Sequence, residues 1–301
     1  MSFEPVLLAP EPEVEEIYPY RRVWRTAWFE VLALVGVTSV LYALTVLFGV
    51  LPRDLRDLPA RAGLALLPLA LWLVFSYGGE RRALSPRPDL LRVLILSALV
   101  ANAVAVPLEE HVFVPQRWLP GAGFGGRLLG YAATIGFTAE FLKYLVLRYT
   151  VWPRRITQRL DGIAYGLAAS VGYAVVLNLR FALFTDATLL ATALRVVSIT
   201  LPHLAGGVIV GFFLAELWIG RTSIFWLPIG LGIASLVSGA HYAFRAIAIT
   251  GSPSIVSTGS SPLLGLLLAF GLVAILFAIV AFVIASADAR AQALASPRRA
   301  L

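Results

Sequence analysis

Residues 160–184 read LDGIAYGLAASVGYAVVLNLRFALF, and their only charged side chains are Asp161 at the start and Arg180 near the end. A bilayer's hydrocarbon core is about 30 Å thick and takes about 20 apolar residues of helix, so this stretch is long enough to span it. The strict apolar–polar alternation of a membrane-barrel strand is absent. Comparable runs occur at about 27–51, 62–79, 90–108, 127–151, 188–219, 224–249 and 262–286. The expected fold class is therefore all-α, a polytopic transmembrane helix bundle of about eight spans. The expected organisation is an acidic, proline-rich tail over 1–26, the bundle over 27–286 and a basic tail over 287–301.

The composition of the 301 residues agrees. Hydrophobic residues make up 59% and charged residues 14%, and the mean hydropathy is +0.85. A soluble domain carries about 25% charged residues. With no cysteine in the chain, a disulfide scaffold, thiolate-bound zinc and a thiol nucleophile are excluded. The net charge of +7 comes from arginines in short loops between apolar runs, not from a basic face on a soluble domain, so no nucleic acid is expected. The glycines at 121, 123 and 126 match a dinucleotide fingerprint only in letters, because no strand precedes them and no βαβ unit follows.

Fifteen arginines fall on the N-terminal side of the eight runs, among them Arg21, Arg22, Arg81, Arg82, Arg154 and Arg155; six fall on the other, including Arg53, Arg117 and Arg245. Positive loops stay cytoplasmic. Both termini are thus expected inside, the 109–126 and 250–262 loops outside, and anionic lipids at the cytoplasmic face. A prokaryotic inner (plasma) membrane is the expected location, and no cleavable signal peptide is read. The acidic tail carries Phe3, Val6, Leu7, Leu8, Ile17 and Tyr18 among its glutamates, which suits docking on a partner.

Ionisable residues inside apolar runs are expensive and mark function or internal pairing. On spans four to seven they are Glu140, Lys143, Asp161, Arg180, Arg195, His203, Glu216 and His241, with the neutral amide Asn178. Glu140 and Lys143, the chain's sole lysine, are three apart and share a helix face. Asp161 is read as a helix-start residue and Glu216 as snorkelling to the interface. At about 1.5 Å per residue, Glu140, Asn178, His203 and His241 lie at similar depths, so they are expected to face one polar pocket. Gly162/Gly166 and Gly207/Gly211 offer two close-packing faces.

The run Glu140-Phe-Leu-Lys143, the stretch Asp161-Gly-Ile-Ala-Tyr165-Gly166 followed by Gly172-Tyr173 and Asn178, then His203 and His241, resemble the PrsW family of intramembrane proteases, distantly related to the CAAX-processing membrane proteases. The resemblance spans about residues 127–250. It implies catalytic roles for Glu140, Lys143 and Asn178, metal ligation by His203, His241 and Glu140, and zinc as the cofactor of an active enzyme. Three departures bear on this. Ala139 stands where the family pairs glutamates, and Leu177 stands where it has a glutamate before the asparagine. Arg245 follows His241 where an amide or carboxylate often stands.

Zinc wants about three protein ligands and an open position, and hydrolysis needs a general base besides. Glu140, His203 and His241 cannot supply both. The expected function is a PrsW-like membrane protein with a degenerate protease site, a non-catalytic partner-binding or assembly subunit of a membrane complex, with no cofactor. The alternative is an active intramembrane metalloprotease that recruits Asp186 or Glu109 and cleaves membrane-protein substrates. A transporter is a third reading. It is disfavoured because only Pro202 interrupts a mid-span helix, whereas transporters use broken helices in matched halves.

Overall fold

The computed structural model describes residues 19–83, 86–250 and 262–295. The acidic tail up to residue 18, the 251–261 stretch and residues 296–301 lie outside the described residues. The described chain is helical throughout, without strands. Eight helical rods stand where the eight apolar runs were read. α1 is Pro19–Tyr42, continued by a π-helical turn at Ala43–Leu47; α2 is Leu58–Trp72, continued through Leu73–Tyr77 and Gly78–Arg81. α3 is Leu90–Val100 with π turns Ala101–Ala105 and Leu108–Phe113. α4 comprises Phe124–Tyr131, Ala132–Gly136 and Phe137–Thr150. α5 is Arg159–Phe184, α6 is Leu189–Ile219, α7 is Trp226–Thr250 and α8 is Pro262–Ala295.

Among the described residues, five helical stretches are long and apolar enough to cross a membrane: Val23–Leu47, Leu58–Arg81, Leu90–Gly121, Arg159–Phe184 and Leu189–Ile219. α8 contains the shorter apolar stretch Phe270–Ser286. α4 is diluted by Glu140, Lys143 and Arg148. The protein is an all-α, polytopic membrane bundle.

The third rod extends further than its apolar run. Leu108–Phe113, Pro115–Trp118 and Leu119–Gly121 are helical turns, where the sequence reading has a loop over 109–126. Side chains close their backbone groups: Trp118 Nε1 donates to the Phe113 carbonyl at 2.9 Å, and Arg127 donates to the carbonyls of Ala122 and Pro120 at 2.9 and 2.7 Å.

α6 is the axis of the bundle, buried along nearly its whole membrane-spanning length, and its broadest packing partner is α5. The two glycine faces meet each other. A Cβ on Gly162 would strike the Gly211 carbonyl, and a Cβ on Gly166 the Gly207 carbonyl. Backbone-to-backbone approach of this kind favours association in lipid, where apolar burial gives no advantage over lipid tails. Edge-to-face contacts of Trp24 and Trp28 with Phe277 (5.2 and 5.5 Å) join α1 to α8.

At the arginine-rich end, Asp161 completes a capping box with Gln158 at the start of α5 and accepts from Arg87 Nε at 2.7 Å. The helix-start role read for Asp161 is what the structure displays. Glu216 does not simply reach for the interface: it pairs with Arg159 at 2.6 Å and ties α6 to the start of α5. A cation one helix away offers a partner that snorkelling would forgo.

Candidate functional site

The geometry of the polar cluster follows from a defect in α6. Pro202 lies inside this helix, and proline lacks the N–H that would bond the carbonyl four residues earlier. That carbonyl belongs to Ser198, and His241 on α7 donates its Nε2–H to it at 2.7 Å. A backbone carbonyl left unpaired in hydrocarbon costs several kcal/mol. One histidine of the motif therefore repairs the central helix. Since a carbonyl only accepts, His241 Nε2 carries the proton and is not a ligand atom in this arrangement.

One residue past the proline, His203 is fully buried, its ring 4.8 Å from that of Tyr173 on α5. Lys143 on α4 reaches across to donate to the His203 carbonyl at 3.1 Å and to Ser170 Oγ at 3.5 Å. The same ammonium pairs with Glu140 Oε1 at 2.8 Å, with neither side chain exposed to solvent. Ser238 on α7 donates to that oxygen at 3.3 Å. The carboxylate is cradled by Gly206: a Cβ there would collide with it. Asn178 sits further along α5 and donates Nδ2 to Thr200 Oγ1 at 3.1 Å.

Glu140, Lys143 and His203 are thus joined in one network, with Ser170, Ser238 and Tyr173 added. His241 and Asn178 are buried on adjoining turns, each engaged with α6 through its own bond. Ser170, Ser238 and Gly206 were not singled out in the sequence. Their signal was spacing: Ser238 lies three residues before His241, Gly206 three after His203, and Ser170 eight before Asn178, each on the same helix face.

The two substituted positions lie together. Ala139 packs with Ala101, Ala105, Leu142 and Tyr173 in a small apolar cluster, and Leu177 packs against it. Of the two recruits considered, Asp186 pairs with Arg56 on the exposed surface. Glu109 does approach the cluster: Tyr173 donates its hydroxyl to Glu109 Oε1 at 3.4 Å. Next to it, Glu110 pairs with Arg180 at 3.0 Å.

The donor set does not fit zinc as arranged. Glu140 Oε1 is held by Lys143 and Ser238, and the bond from His241 Nε2 to a carbonyl restricts that ring to Nδ1 as a ligand atom. Among the described residues, no group of three or more His, Cys, Asp or Glu side chains is placed to hold a metal ion. Four buried atoms have no hydrogen-bond partner there: Glu140 Oε2, Asn178 Oδ1, and both ring nitrogens of His203.

Comparison with known proteins follows the same residues. The family model described as PrsW family intramembrane metalloprotease matches residues 85–285. The chain is 31% identical over 121 residues to Protease PrsW of Bacillus subtilis, covering 39% of this chain and 54% of that relative. It is 28% identical over 154 residues to Protease PrsW of Halalkalibacterium halodurans, covering 50% and 67%. The chain thus spans about half the length of the first relative and two thirds of the second. No solved structure matches. The matched region runs from the loop before α3 into α8 and takes in every residue of the polar cluster; this chain belongs to the PrsW family.

Proposed function

We propose that this protein is a non-catalytic PrsW-family member, a membrane protein that holds a transmembrane partner instead of cutting it. The observation that carries this reading is the state of Glu140. The one carboxylate inside the motif cluster is paired through Oε1 with Lys143, while Ala139 and Leu177 fill an apolar contact where other carboxylates would stand. General acid–base help contributes factors of roughly 10² to 10⁴, so a site that lacks two carboxylates and holds its remaining one against a lysine is expected to fall far below a working hydrolase. The glycine contacts and the proline repair still hold the bundle in shape for docking. In this reading the protein sits in a prokaryotic inner membrane with both termini in the cytoplasm, and its arginine-rich face contacts anionic lipids.

A second reading has one specific observation in its favour. The Tyr173–Glu109 hydrogen bond brings another carboxylate to the cluster, and an active protease would use it. Both readings are separated by reconstituting the purified protein with a mixture of single-span membrane proteins and following cleavage. The expected result is no product above that of a Glu140→Gln control. Cleavage abolished by Glu140→Gln and by Glu109→Gln establishes the active enzyme instead.

A further inference from the structure

The buried cluster has two very different ends. Towards the arginine-rich end it is closed by backbone: Gly166 and Gly207 are in contact beside Ser170, and Gly162 and Gly211 are in contact one turn further. Leu147, Leu160 and Ile163 are buried at this end, and the polar groups beyond the glycine contacts are engaged with one another or with backbone: Asp161 with Arg87, Arg159 with Glu216, and Tyr165 with the Pro88 carbonyl.

Towards the other end, polar groups continue to the surface. From Lys143 the next is Tyr173, whose ring centre lies 6.0 Å from the ammonium. The Tyr173 hydroxyl bonds to half-buried Glu109. Glu109 interacts electrostatically with Arg195, whose guanidinium lies 4.5 Å from the centre of the Phe181 ring. The adjacent Glu110–Arg180 pair has side chains 50% and 35% exposed. The ladder therefore runs from a buried ion pair to the bundle's surface in a few contacts.

The buried end of this ladder has unmet bonding capacity. An unsatisfied buried polar atom costs about 1–3 kcal/mol, and four occur together at Glu140, Asn178 and His203. Buried water bonds to such atoms where two to four polar partners converge. We propose that water enters the Glu140–His203 cluster from one end of the bundle only, through a passage past Glu109 and Tyr173, and that the α5–α6 glycine seam bars it from the other. The inlet is independent of whether the site cuts a peptide bond.

The chain has no native cysteine, so single cysteines report access directly. Ser238→Cys and Thr200→Cys place small, conservative probes at Glu140 and Asn178. Ser97→Cys, at a buried α3–α5 contact with the Ala169 carbonyl, is the dry control, and Glu110→Cys marks the face on which the passage opens. Oriented proteoliposomes are treated from each side with a membrane-impermeant trimethylammonium methanethiosulfonate. Ser238→Cys and Thr200→Cys are expected to react from the face marked by Glu110→Cys, roughly tenfold or more faster than Ser97→Cys. Adding Glu109→Leu to either is expected to slow its reaction by roughly the same factor, because an apolar lining reimposes the desolvation cost. Each variant is first checked for monodisperse elution, and the two probes stand in for one another if either misfolds. Reaction as slow as at Ser97→Cys, reaction from the opposite face, or indifference to Glu109→Leu overturns the proposal.

Discussion

The Glu140–Lys143 pair decides most of what the site can do. A buried ion pair is weak evidence for stability, since desolvation offsets much of the attraction. Removing one partner is another matter, because it strands a charge: the loss is about 3–5 kcal/mol. Lys143→Met alone and Glu140→Gln alone are therefore expected to lower the detergent unfolding midpoint sharply. The double variant should recover most of that loss. Three midpoints measured in parallel check this, and a double variant as unstable as the sum of the singles contradicts it. The pair was legible in the sequence because three-residue spacing on a helix fixes a shared face. The partners across the bundle were not, since helix periodicity places a residue on a face but says nothing of which neighbour that face meets.

Among the helices, α6 shows how a fault can organise a site. Pro202 frees the Ser198 carbonyl, and His241 answers it from α7. His241→Phe is expected to destabilise the protein by about 1–3 kcal/mol, the cost of an unsatisfied buried acceptor. Pro202→Ala restores the helical N–H, so Pro202→Ala/His241→Phe should regain most of the loss. Thermal unfolding of the three variants reads this, and absence of rescue would mean that His241 stabilises by some other contact. The glycine faces of α5 and α6 were readable as spacing and meet each other as spacing suggests. The helical turns over 108–121 were not readable. Their stability rests on Trp118 and Arg127 reaching backbone carbonyls, contacts that no hydropathy pattern encodes.

In the whole molecule, hydropathy alone gave the all-α bundle and the position of its rods, because a bilayer admits few alternatives. What function the bundle serves was harder to read. The motif residues are present, yet their chemistry turns on whether a carboxylate or ring nitrogen is free, and that depends on contacts between helices. The arginine asymmetry predicts the orientation: single cysteines at positions 5 and 295 are expected to be labelled only from the cytoplasmic side, and external labelling of either contradicts that topology.

The central claim is that the motif side chains are assembled without forming a zinc-holding hydrolytic centre. Bound metal in protein purified from zinc-supplemented cells, counted per polypeptide for the wild type and for His203→Ala and His241→Ala, tests it most directly. The account predicts well under one zinc per chain, with no difference among the three proteins. One equivalent in the wild type, lost in both histidine variants, would contradict it.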